Sequence, residues 1–227
     1  MSWENFMQSL NTREAEGEIV KTVFVSLTTS FLLLTLLYFI KLRYIEDFLP
    51  KYAFFLFFIT LSYALILPAL RHVRAYKEFP CMSGMMIGMT VGMIAGFLPG
   101  FYIAATNGMF WGAIVGIVIG ISLGAWKGSC CGIMGFMEGT MAGFMGSLMG
   151  AMTAIMFYND HLKASAIIIF LIAAVIMVGL HYMIYKETRE IERRHKDSEF
   201  FVMFFSLILT SFTTWMMVFG PRSLLFQ

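Results

Sequence analysis

Apolar stretches long enough to cross a bilayer alternate with short polar intervals along all 227 residues. A transmembrane helix needs about 20 mostly apolar residues to cover roughly 30 Å of hydrocarbon. That criterion predicts seven spans, near 22–40, 52–70, 80–104, 108–126, 130–157, 162–186 and 199–219. The first, second, sixth and seventh are rich in Phe, Leu and Ile, while the third to fifth hold most of the 20 glycines and 20 methionines. Bulky helices suit a lipid-facing ring, and glycine helices need close neighbours. The expected fold is therefore an all-α polytopic membrane protein of about seven helices with a glycine-zipper core in spans three to five. Its predicted organisation is a cytoplasmic N-terminal segment (1–21), two lipid-facing spans (22–78), a Gly/Met-rich three-helix core (79–158), and two further spans joined by a charged cytoplasmic loop (159–227).

Within the core, every fourth position from Gly84 to Gly132 is glycine except Ala104. Glycine inside a helix costs about 0.5–1 kcal/mol relative to alanine, so a long stripe implies a compensating contact. Small residues spaced by four let backbones approach in lipid, where no hydrophobic drive brings helices together. Gly84, Gly88, Gly92 and Gly96 would pack the third span, Gly112, Gly116, Gly120 and Gly124 the fourth, and Gly139 and Gly143 the fifth. One helix from Gly84 to Gly132 would be about 73 Å long at 1.5 Å per residue, so breaks are required. They are expected at Thr106-Asn107-Gly108 and Lys127-Gly128-Ser129, both of which have turn chemistry. Pro99 predicts a kink in the third span.

Composition supports the same class, with 59% hydrophobic and 13% charged residues against about a quarter charged in soluble domains. A net charge of +2, with basic residues in short clusters, gives no nucleic-acid surface. Eleven of the 16 Lys and Arg fall on the amino-terminal side of the seven spans. The positive-inside rule then predicts a cytoplasmic N-terminus and an outside C-terminus, in what reads as a prokaryotic cell membrane. The first span is expected to remain as an anchor, because no cleavable leader pattern precedes it.

Candidate chemistry lies in sulfur. Spans three and five both open on thiols, Cys81 at one and Cys130-Cys131 at the other, and both continue with methionines at helical spacing. The candidate ligand set is Cys81, Met82, Met85, Met89, Cys130, Cys131, Met134, Met137 and Met141. Thiolate and thioether ligands select Cu(I) over harder cations, and weak repeated sites along a helix suit conduction. The competing reading is packing, since methionine adapts to the irregular gaps that glycines leave. Three cysteines, two of them adjacent, make no disulfide framework, and no zinc or EF-hand spacing is present.

Two ionisable residues lie inside spans. Glu138 sits about 12 Å along its helix from Cys130, and an intramembrane acid is by default a candidate proton or cation group. The alternative is a single structural hydrogen bond. His181, five residues before Lys186, could pair with Glu138 or ligate a metal, or sit at the interface. No Walker loop, nucleophile elbow, zincin motif or dinucleotide fingerprint occurs, so enzymatic activity is not expected.

The Met-x-x-x-Met elements Met85 to Met89 and Met145 to Met149, with the Gly-x-x-x-Gly elements Gly84 to Gly88 and Gly146 to Gly150, are similar to those of CTR-type copper transporters. The Gly/Met core also resembles polytopic membrane proteins of unknown function associated with heavy-metal handling. These resemblances imply a transporter or channel for a soft metal cation such as Cu(I). Beside that stand a structural or accessory subunit with no solute path, and a proton or ion pore using Glu138. Expected partners are the lipid bilayer and either a homo-oligomer or a larger membrane complex.

Overall fold

The computed structural model describes residues 17–40, 52–75, 81–129, 132–188 and 199–221. These form seven helices: α1 (Gly17–Ile40), α2 (Phe54–Ala75), α3 (Cys81–Asn107), α4 (Met109–Gly128), α5 (Gly132–Met156), α6 (Leu162–Thr188) and α7 (Glu199–Phe219). All seven are long and apolar enough to cross a membrane. The chain is an all-α polytopic membrane protein.

The breaks fall later than the sequence suggests. Thr106 and Asn107 remain helical, and the break between α3 and α4 is Gly108 alone, at φ 106° and ψ 164°. Its N–H donates to Ala104 O and its own carbonyl accepts from Gly112, so one residue closes α3 and opens α4. A side chain rarely adopts that φ, which is why glycine holds the position. Lys127 and Gly128, expected in a turn, instead complete the last turn of α4. α3 continues as one helix through Pro99.

The three glycine helices pack most intimately on one another. Their small residues meet in layers, each taking one residue from α3, one from α4 and one from α5. A Cβ placed on Gly88 would stand 2.8 Å from the Cα of Gly128, with Gly135 O at 3.6 Å. One on Gly92 would lie 2.7 Å from Gly139 O and 3.0 Å from the Cα of Gly124. At the next layer, one on Gly96 would lie 2.7 Å from Gly143 O, and one on Gly120 would lie 2.8 Å from the Cα of Gly96. Gly100, Gly116 and Ser147 make the fourth layer, where a Cβ on Gly116 would lie 3.1 Å from the Cα of Gly100 and 3.0 Å from Ser147 Cβ. Residue 104 departs from the stripe because the Ala104 methyl occupies the space facing Gly112. Ser147 contributes the one side chain named in these layers, and elsewhere backbones make the contacts that small residues permit in lipid.

α3 sorts its faces by size. Opposite its glycines, Ile87, Leu98, Phe101 and Tyr102 are fully buried, as are Ile59, Tyr63, Ile66, Leu67 and Leu70 of α2. α2 packs on α1, α3, α6 and α7, and so forms the hub of the bulky half. This corrects the expectation of two lipid-facing spans over 22–78, because 72% of the α2 apolar window is buried against 17% for α1. Large side chains interlock there, gaining dispersion contacts that lipid tails fit less closely. Ser30 and Ser206 share a hydrogen bond of 2.7 Å that ties α1 to α7, and Asn107 Nδ2 donates to Met216 O at 2.6 Å to tie α3 to α7.

Candidate functional site

The described methionines do not enclose a site. Glycines occupy the inward faces of α3 and α5, and a period of four puts the intervening methionines on the outer surface. Exposure runs from 42% at Met93 to 75% at Met82, and Met86, Met89, Met134, Met137, Met141, Met145, Met149, Met152 and Met156 are all exposed, with Met85 half-buried. Cys81 opens α3, but its side chain, and all of Cys130 and Cys131, lie outside the described residues. Among the described residues no group of three or more His, Cys, Asp and Glu is placed to hold a metal ion. The methionines instead stand on an open outward surface of α3 and α5.

Glu138 lies on this outer surface, half-buried, six residues into α5. It makes no hydrogen bond or ion pair with the described residues. The two ionisable residues singled out in the sequence are not brought together: α5 packs on α3 and α4, whereas His181 faces α2.

His181 belongs to a polar layer at the end of the bundle where α2, α4 and α6 finish. Its Nδ1 bonds Met177 O at 2.7 Å, one turn back, so Nδ1 carries the proton in the neutral ring and Nε2 carries the lone pair. The ring lies nearly parallel to that of His72, at 12° with centroids 5.8 Å apart, and both residues are buried. Around them, Arg71 donates to Thr22 Oγ1 at 2.7 Å, Lys127 Nζ donates to Leu70 O at 2.8 Å, and Ser83 Oγ donates to Glu187. Each bond crosses between helices. Sequence reasoning passed over His72, Arg71 and Lys127 as members of a layer. The available signal was depth, because His72 and His181 close spans running in the same direction.

A cavity of about 250 Å³ opens between α3 and α6, lined by Met93, Ile94, Phe97, Leu98, Ile169, Ile172, Ala173 and Ile176. Its wall offers hydrocarbon rather than ligands, so it adds no polar chemistry to the layer above it. No protein-family model matches the chain, and no match is found among curated proteins or solved structures.

Proposed function

We propose that this chain is an integral membrane subunit that assembles with another membrane protein through the methionine-rich outer surface of α3 and α5, and offers no solute route between its own glycine helices. The observation that carries this reading is the layer packing. Where a Cβ has no room, as at Gly96, Gly120 and Gly143, a hydrated ion has none. A surface rich in Met and Phe is also suited to a protein partner, since unbranched thioethers re-pack against varied shapes. By contrast, the outer surface of α6 carries Ile167, Ile168, Leu171, Ile172, Val175 and Ile176, an ordinary lipid-facing set. The charge distribution supports an inside N-terminus.

The test is position-specific photo-crosslinking in cells. A crosslinker at Met141 or Met145 is expected to trap one discrete protein, and one at Ile168 or Val175 only lipid. Equal trapping from both surfaces, or lipid alone from α5, refutes the proposal.

A second reading keeps the soft cation. It rests on the thioethers of α3 and α5 sharing outward surfaces and on the resemblance to CTR-type copper transporters, and it places any Cu(I) route between copies rather than within one. Copper bound by an oligomer and absent from the dispersed chain would favour it.

A further inference from the structure

We infer that the outer surface of α5 receives a transmembrane helix of a different protein, and that this helix carries a Lys or Arg opposite Glu138. The inference rests on the assembly reading above and names the partner's chemistry.

Glu138 lies about 9 Å along α5 from Gly132 at 1.5 Å per residue, on the same outer surface as Met134, Met137, Met141 and Met145. Its carboxylate finds no hydrogen bond or ion pair among the described residues. An acidic group facing hydrocarbon is costly, and such residues are normally paired or face a wet interior. The α5 interior is closed by the glycine layers, so no described residue pairs it from within, and a neighbouring helix is the source of the partner. Its short side chain also has less reach toward the interface than lysine's longer stem.

No described residue is placed to supply that group to a second copy of the chain. Among the described residues, Arg71, His72, Lys127 and His181 are buried within their own bundle. Lys186 and Lys163 stand at helix ends, and Lys21 is already engaged in its own chain. A parallel twofold pair across α5 would set Glu138 against Glu138. Charge complementarity therefore selects a foreign helix with a basic residue roughly two turns inside the membrane, and the surrounding methionines and Phe144 fit its apolar flanks.

The experiment uses the full chain, donor-labelled and reconstituted in phosphatidylcholine vesicles with acceptor-labelled synthetic Leu/Ala transmembrane helices. One helix carries a single Lys at the depth of Glu138, a second carries Leu there, and a third has the Lys moved two turns deeper. The matched-Lys helix is expected to associate at least tenfold more tightly than the other two. Glu138→Gln should erase that preference without shifting the thermal unfolding midpoint. Equal association of all three helices, preference retained in Glu138→Gln, or Glu138-dependent self-association without any peptide overturns the inference. Crosslinks from Met141 that persist in Glu138→Gln cells, with no preference for the Lys helix, would remove this inference and leave the assembly reading standing. Loss of surface-specific crosslinks from the unaltered chain would remove the assembly reading itself.

Discussion

Gly120 faces Gly96 so closely that a Cβ added to Gly120 would stand 2.8 Å from the Cα of Gly96 and 2.9 Å from Gly143 O. Both of these are backbone atoms and cannot rotate away, whereas the Ser147 Oγ at 3.1 Å can. Gly120→Ala is therefore expected to destabilise the protein by roughly 1–3 kcal/mol, the usual cost of overpacking. Gly179→Ala is the control, because a Cβ there meets nothing within 4 Å. It should be neutral or stabilising by up to about 1 kcal/mol, through helix propensity alone. Unfolding in mixed micelles compares the two, and equal effects would contradict the layer packing.

His181 sits in the α2–α6 seam beside His72, and its removal leaves space. His181→Ala is expected to cost about 2–4 kcal/mol as a cavity. His181→Phe keeps the ring and loses only the bond to Met177 O, so about 1 kcal/mol is expected. Thermal unfolding of both variants checks the order, and equal costs would assign the residue to its hydrogen bond rather than to packing.

The outward sulfurs give a prediction with two readouts. Replacing Met137, Met141 and Met145 together by Leu should change stability by less than about 0.5 kcal/mol per site, as exposed positions do. The dispersed chain is expected to hold no Cu(I) on these thioethers, because they stand exposed on an open surface rather than around an enclosed space. Elemental analysis of monomeric protein decides this, and copper that disappears in the triple variant would show that the outward thioethers do ligate it.

Asn107 joins the end of α3 to α7 by donating to Met216 O. Side-chain hydrogen bonds between membrane helices average about 0.6 kcal/mol, but this residue is fully buried. Asn107→Leu is expected to cost about 1 kcal/mol and to speed amide exchange near Met216. Unchanged exchange would show that the bond holds nothing.

The membrane class and the seven helices were legible in the chain because hydrocarbon thickness sets a length that apolar runs must match. Glycine spacing also pointed to the right three helices. Two further facts were not legible. Period-four glycines indicate close approach without naming the partner, so the alternation of Gly88, Gly128 and Gly135 in one layer needed the helix register. The second span looked lipid-facing because Phe and Leu suit both lipid and protein, and only packing around Tyr63 and Leu67 told them apart. Local chemistry misled at Lys127, whose Gly and Ser neighbours suggest a turn, whereas the Leu70 carbonyl of another helix holds it in α4. For the candidate site, helical spacing aligned the methionines on one stripe, but a stripe has no sign. The glycines took the inner surface and sent the thioethers outward.

The three helices that share backbone layers are consecutive in the chain, ending at Met156. During synthesis that unit is complete while α6 and α7 are still unmade, and it needs only two hairpins of low sequence separation, the kind of contact that forms fastest. α1 is in the opposite position. Emerging first, it meets its serine partner on α7 only when the last helix arrives. The order of insertion thus separates an early-closing half from one that stays open until α7 is made, and agents that shield nascent membrane segments would act on α1 and α2 rather than on the glycine helices.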